Sequence, residues 1–183
     1  TNDANLSSLY SNFGWYFGKL FVHPRNPDSV IVFGVIIGKT SNGGASWTMQ
    51  STSHADNHAL AFHPTDVSKI FVGNDGGFCW TTNGSASWTR QSDQDLYITQ
   101  FYAGWISHTN PNNRMGGTQD NGTPRTMTGG TSDWASINGG DGFYCIIDYT
   151  DGNYQYAESQ YGAIRRTTNN WSSSSSATSG FTG

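Results

Sequence analysis

Thr40-Ser41-Asn42-Gly43-Gly44-Ala45-Ser46-Trp47 returns, nearly unchanged, as Thr81-Thr82-Asn83-Gly84-Ser85-Ala86-Ser87-Trp88, with the two tryptophans 41 residues apart. Thr, Asn and Trp recurring at fixed offsets mark a repeat architecture, and a repeat of this length decides the fold before any single residue does. Within each copy, Asn-Gly and Gly-Gly supply the positive φ of a tight turn, the Thr and Asn side chains bond nearby amides, and the closing Trp packs the turn onto its sheet. Each copy therefore reads as a turn with a strand on either side. Thr40, Asn42, Gly44, Trp47, Thr81, Asn83 and Trp88 carry structure rather than chemistry on this reading.

Working outward, two units share one order of elements. Leu20 to Val22 forms a strand ending at His23-Pro24, Val30 to Phe33 a second and Val35 to Ile37 a third; Ala59 to Phe62, His63-Pro64, Ile70 to Val72, the turn Gly73 to Gly77, and Phe78 to Trp80 repeat them. A third unit keeps the skeleton, with Phe101 to Ser107, the turn Gln119-Asp120-Asn121-Gly122 and Trp134. A fourth has Phe143 to Ile147, Tyr154 to Ala157, and Thr167-Thr168-Asn169-Asn170-Trp171 as a shortened copy of the opening motif. Four units at about 15–50, 51–93, 94–137 and 138–171 are expected, each a four-stranded antiparallel sheet, which is how β-propeller blades look in sequence. Residues 1–14 read as a linker or the end of a preceding blade, and 172–183 as a Ser/Gly-rich linker or the start of a further one.

Composition agrees. The 183 residues hold 23 Gly and 14% aromatics, with only 12% charged residues, which suits short strands joined by turns, and no long amphipathic helical pattern occurs. A net charge of −4 with scattered basic residues disfavours nucleic acid as a partner. No apolar run approaches the ~18 residues of a membrane span, and the opening at Thr1 without a signal peptide suggests a processed or truncated segment. Few Lys and Arg beside abundant Gly and Ser favour a secreted, extracellular or cell-surface protein. The triplets at Asn5, Asn83, Asn121 and Asn170 fit the glycosylation sequon. Cys79 and Cys145 sit in apolar strand-like runs, where free thiols are favoured over one disulfide.

The Trp47 and Trp88 motifs resemble the Asp-box, or bacterial neuraminidase repeat, of sialidases, sortilin ectodomains and xyloglucanase-type glycoside hydrolases. Thr40 and Thr81 stand for its Ser, Asn42 and Asn83 for its Asp, and Gly44 for its Gly, which is Ser85 in the second copy. His54-x-Asp56-x-His58, Gly73-Asn74-Asp75-Gly76-Gly77, Gln119-Asp120-Asn121-Gly122, Gly140-Asp141-Gly142 and Tyr156-Ala157-Glu158-Ser159-Gln160 are similar, in that order, to a group of large secreted bacterial propellers related to sortilin and the xyloglucanases. The resemblance covers about residues 15–171. It implies a ring of six or more blades, so the remaining blades are expected from the same or another chain.

Superimposing the units puts Tyr16, Asp56, Phe101 and Asp141 at the start of each first strand, on the face that also carries the turns between second and third strands. That face would gather Asp56, Asp75, Gln119, Asp120, Asn121, Asp141, Glu158 and Gln160, with Trp15, Tyr16, Phe101 and Tyr102 nearby and His58 as a hydrogen-bonded channel residue. Carboxylates beside aromatic rings suit sugar recognition, and a carboxylate pair can act as glycosidase acid and base. Asp120, Asp141 and Glu158 are the candidate catalytic residues; Trp15, Tyr16, Asp56, His58, Asp75, Phe101, Gln119, Asn121 and Gln160 the candidate ligand-binding ones. Asp-Gly turns are also favoured for backbone reasons alone.

His54, Asp56 and His58 alternate and would share a strand face, yet no third or fourth protein ligand beyond them is evident, so neither metal nor cofactor is expected. The sialidase arginine triad has no counterpart, and neither has the xyloglucanase acid and base. The reading is a segment of a secreted propeller that binds a glycan or extended peptide on its channel face. A xyloglucanase-like hydrolase is the alternative, and a purely structural blade array the third.

Overall fold

The computed structural model describes residues 6, 8–90 and 98–180. The Asn5 sequon residue, residues 1–5 and 7 of the expected 1–14 linker, the 93/94 blade boundary and the last three residues lie outside that range. The chain divides into two compact units, Thr1–Leu96 and Tyr97–Gly183.

Each unit holds two four-stranded antiparallel sheets in simple meander order, so the chain is all-β and built of propeller-type blades. Blade I comprises β1 (Leu20–His23), β2 (Asn26–Phe33), β3 (Ile37–Thr40) and β4 (Thr48–Gln50); blade II comprises β5 (Asn57–Phe62), β6 (Ile70–Asn74), β7 (Gly77–Thr81) and β8 (Thr89–Arg90). In the second unit, blade III comprises β9 (Phe101–Ile106), β10 (Arg114–Thr118), β11 (Thr123–Thr126) and β12 (Ala135–Asn138). Blade IV comprises β13 (Cys145–Ile147), β14 (Gln155–Ser159), β15 (Ala163–Thr167) and β16 (Ser175–Ser176). No α-helix occurs among the described residues, and so no helix there is long and apolar enough to cross a membrane.

Facing blades bury one sheet face each. Ile31, Phe33 and Ile37 of blade I pack on Ile70, Val72 and Cys79 of blade II, with Trp88 against them. In the second unit Met115 packs with Cys145, Ile147 and Ala157, flanked by Trp105 and Trp171. The period-2 alternation of strands explains the split, since β6 buries Ile70, Val72 and Asn74 and leaves Phe71 and Gly73 on the other face. Both cysteines are buried and free.

Several boundaries differ from the sequence reading: β2 begins at Asn26 rather than Val30, β5 at Asn57 rather than Ala59 and β13 at Cys145 rather than Phe143. The third strand of blade I starts at Ile37 rather than Val35, because residues 34–36 make the turn, closed by the Gly34 amide on the Ile36 carbonyl at 3.0 Å. Glycine is required at 34, where a Cβ would collide with the Leu9 backbone. In blade II the expected Gly73–Gly77 turn shortens to Asp75-Gly76, its flanks joining β6 and β7.

Three loops share one hydrogen-bond frame. Thr40, Thr81 and Thr167 each donate Oγ1 to the Asn two residues on, at 2.9, 2.7 and 2.9 Å. Each also accepts from the amide of the fifth loop residue, at 3.1, 3.2 and 2.9 Å. The Asn side chain then receives the amide of the seventh residue, Ser46, Ser87 or Ser173. The fourth and fifth residues are left-handed in all three: Gly43 and Gly44 (φ 66 and 88), Gly84 and Ser85 (65 and 71), Asn170 and Trp171 (57 and 64).

The last loop is therefore full-length. Trp171 stands in the place of Gly44 and Ser85, not of Trp47 and Trp88, whose eighth position is Ser174. Its indole nonetheless reaches the core, packing on the Met115 cluster and donating Nε1–H to Gln155 Oε1 at 2.7 Å. Because the loop runs its full length, the fourth strand falls within the serine run, where backbone pairing of Ser175 and Ser176 with Arg166 and Arg165 suffices. Blade III varies the frame: Thr126 donates to the Asp133 carboxylate at the far end of the loop, and Trp134 donates to the Gly130 carbonyl while its ring lies against Phe101.

Candidate functional site

In the first unit the strand start of blade II is stitched to the turn of blade I. The Asp56 amide donates to the Val35 carbonyl at 3.0 Å and the Asn57 amide to the Gly34 carbonyl at 3.2 Å, and the buried Asn57 side chain reaches both carbonyls. Asp56 is left-handed (φ 61), a conformation Asp tolerates better than most residues. This turn places Asp56 before the strand rather than on it. The alternation that would align His54, Asp56 and His58 is thereby broken, and no metal-holding group of three acidic, His or Cys residues occurs among the described residues.

What the turn does assemble is a carboxylate and imidazole group under an aromatic shelf. His58 Nε2 lies 2.7 Å from Asp75 Oδ1, each side chain about 30% exposed. The His58 ring stacks on Phe17 (centroids 5.7 Å) and meets the edge of Tyr16 (5.8 Å), which in turn contacts Trp15 (5.6 Å). Lys19 Nζ donates to the His58 carbonyl at 2.6 Å and ties this segment down. Trp15 is 81% exposed and Tyr16 62%, so their ring faces are available.

Burial holds the Asp56 carboxyl above the usual aspartate range; the negative charge of Asp75 adds to this, and His58 and His54 oppose it. The Asp56 carboxylate accepts no hydrogen bond among the described residues. Chemically, the group offers two carboxylates, an imidazole and exposed ring faces: acceptors for hydroxyl donors beside a stacking platform. A separate groove of about 340 Å³ lined by Gln50, Ser51, Thr52, Ser53, Ala86, Ser87 and Trp88 contains none of these groups.

In the second unit the same joint recurs, with the Gly142 amide donating to the Thr118 carbonyl at 2.9 Å. Asp141 is held on both oxygens: Oδ1 accepts the Asp120 amide at 2.6 Å and Oδ2 accepts Gln160 Nε2 at 2.8 Å. Asp120 adopts φ 60 to aim that amide, and Asn121 Nδ2 caps the Gln119 carbonyl at 3.0 Å. Asp120, Asp141, Gln119, Asn121 and Gln160 are thus brought together. Glu158 contributes backbone bonds to Phe143 and Tyr144 and stands opposite Ile164 in the ladder. Phe101 covers Gly116, where a Cβ would strike its ring.

The structure adds residues not foreseen as part of the site. Phe17 and Lys19 lie in a stretch with no motif, and only the aromatic run Trp15-Tyr16-Phe17 signalled them.

No protein-family model matches the chain, and no curated protein does. Among solved structures it is similar to an ancestral GH74 enzyme, with 20% identity over 84% of this chain and 23% of that one (TM-score 0.39). It is also similar to the GH74 enzyme of Niastella koreensis, with 17% identity over 93% and 31% (TM-score 0.39). A third is YCF48 bound to D1 peptide, with 15% identity over 82% and 49% (TM-score 0.35). The chain spans less than a third of the length of either GH74 structure.

Proposed function

We propose that the chain is part of a secreted Asp-box β-propeller whose Trp15, Tyr16, Asp56, His58 and Asp75 bind a glycan, with an extended peptide as the lesser candidate. The observation that carries this reading is the His58–Asp75 pair set against Tyr16 and Phe17, with the Trp15 and Tyr16 rings exposed and the half-buried Asp56 carboxylate accepting no hydrogen bond among the described residues. A sugar ring stacks on such faces while its hydroxyls donate to the open carboxylate. The Asp-box resemblance supports a β-glucan such as xyloglucan as the first ligand to try. The blades that complete the ring come from the same or another polypeptide.

Isothermal titration with xyloglucan oligosaccharides tests this: saturable binding is expected, weakened at least tenfold by Trp15→Ala together with Tyr16→Ala. Equal binding by that variant, or none by the parent across a β-glucan panel, sinks the assignment. Hydrolysis is the second reading, favoured by one observation, an aspartate whose carboxyl is shifted upward by burial and by a second aspartate, the direction a glycosidase acid needs. It predicts release of reducing sugar that Asp56→Asn abolishes, whereas binding without turnover leaves a recognition site.

A further inference from the structure

β3 begins at the 34–36 turn, which holds Asp56, and ends at the Thr40 loop. At that far end, away from the aromatic shelf, a cavity of about 260 Å³ lies between blades I and II and shares no residue with the shelf. At ~30 Å³ per water it has room for about nine waters, the size of a small organic molecule. Ile31, Phe62, Val67 and Ile70 wall it, the two isoleucines being buried core residues, and the His23 ring meets Phe62 edge-on (centroids 5.4 Å). Lys39 also lines it, on the same side of β3 as Ile37, which packs toward blade II; the cavity therefore belongs to the interior of the seam.

Three side chains bring uncommitted donors to these apolar walls. Lys39 Nζ donates to the Gly84 carbonyl at 2.5 Å and to Ser85 Oγ at 2.8 Å, which leaves its third N–H. His23 Nδ1 accepts the Arg25 amide at 3.2 Å, so the neutral ring carries its proton on Nε2, which donates to nothing among the described residues. Ser29 Oγ has no hydrogen-bond partner among them either. No carboxylate pairs with Lys39 among the described residues, Asp66 being held by Ser68 and Lys69 instead.

The joint between blades does not account for these donors. In the second unit Arg125 makes the corresponding bonds, to the Asn170 carbonyl at 3.1 Å and to Asn170 Oδ1 at 2.7 Å, so the joint needs only a cation that reaches the fourth loop residue. Lys39 is in addition a half-buried cation whose partners are both neutral. Enclosure strips water from its ammonium and lowers its pKa from the ordinary 10.5, a cost that an anion beside it would offset.

We propose that this cavity binds a small organic carboxylate with an apolar body. The carboxylate takes the remaining Lys39 N–H and the His23 and Ser29 donors, and the body packs on Phe62, Val67 and the two isoleucines. Charge-assisted bonds to a carboxylate are the strong class of hydrogen bond, and an inorganic anion would leave the apolar walls unfilled. The inference stands whether or not the aromatic shelf binds a glycan.

Benzoate is the probe, with benzamide as its uncharged counterpart, each titrated into the whole chain with its isoleucine methyls labelled for NMR. Saturable shifts of Ile31 and Ile70 are expected with benzoate in the millimolar range or tighter, and benzamide should bind at least tenfold more weakly. Lys39→Met, which keeps the length of the side chain without its charge, should weaken benzoate at least tenfold. Val67→Phe, which fills the cavity and leaves Lys39 in place, should do the same. Bound benzoate should also raise the Lys39 pKa towards 10.5, followed by NMR of its side chain. Unmoved isoleucine methyls, equal binding of benzamide, an unmoved Lys39 titration, or affinity that survives either variant overturns the proposal.

Discussion

The blade I–II seam and the blade III–IV seam use the same backbone joint and leave its aspartate in opposite conditions. Asp141 and Asp56 each begin a blade, and in each case the residue 19 positions later arrives from the next turn of that blade. In the second unit that residue is Gln160, whose amide donates to Asp141, and the preceding turn adds the Asp120 amide. In the first unit it is Asp75, a second carboxylate, and the shorter 34–36 turn closes on itself. One seam is thereby a finished hydrogen-bond network; the other keeps an acceptor open beneath exposed aromatics. Identical topology does not make equivalent sites, because a single exchange of donor for acceptor across the seam changes what the aspartate can bind.

The largest effect should come from the closed unit's core. Trp171→Ala removes a half-buried indole that packs on the Met115 cluster, with its bond to Gln155, and is expected to cost about 3 kcal/mol, the low end for a core tryptophan, in urea unfolding of the second unit. Trp47→Ala, equally half-buried but outside either core cluster, should cost clearly less. Equal losses would mean that the fifth loop position carries no special packing.

Next, Asp141→Ala strands the Asp120 amide and Gln160 and should destabilise by about 1.5–3 kcal/mol, the range for hydrogen bonds to a charged group. Asp56→Asn should do the reverse. The folded carboxyl is held above its ordinary value of 3.8, so below that pH both folded and unfolded forms are protonated and nothing is lost. As pH rises through the folded pKa, ionisation becomes harder in the folded state and stability falls. The Asn variant escapes this and should unfold at higher urea than the parent near neutral pH, the gap closing in acid. A variant less stable than the parent at neutral pH would break the contrast between the seams.

Asp75→Asn sharpens it: with the like charge removed, the Asp56 titration followed by NMR should move down, and an unmoved value would leave burial as the only cause. The smallest effect expected is chemical. Burial pushes the Cys145 thiol to about 11, so iodoacetamide near neutral pH should leave it unmodified until the protein is unfolded.

Much of the fold was legible because its signals are local. The Thr and Asn offsets in 40–47 and 81–88 encode hydrogen bonds that close within seven residues, and the same bonds appear in the loops. The fourth loop reads as shortened because Trp171 mimics the closing Trp of the motif, although Thr167, Asn169 and Ser173, which hold the full frame, are all in the sequence. Within each unit the polar residues that meet were legible, His58 with Asp75 and Asp141 with Asp120 and Gln160, since strand starts and turns superimpose. Their condition was not: nothing adjacent to Asp56 or Asp141 distinguishes an open carboxylate from one held on both oxygens.

The sequence by itself determined the repeat, the four-stranded blade as its unit, the first two loops and the polar and aromatic residues near the strand starts, because each follows from spacing and backbone preference within one unit. Only the tertiary structure decided that Gln160 meets Asp141 while Asp75 meets Asp56, that Trp171 enters the core from the place of a glycine, and that Lys39 and Arg125 reach loop carbonyls 45 residues away. Those outcomes depend on which groups packing brings face to face across a seam, and no local pattern contains that information.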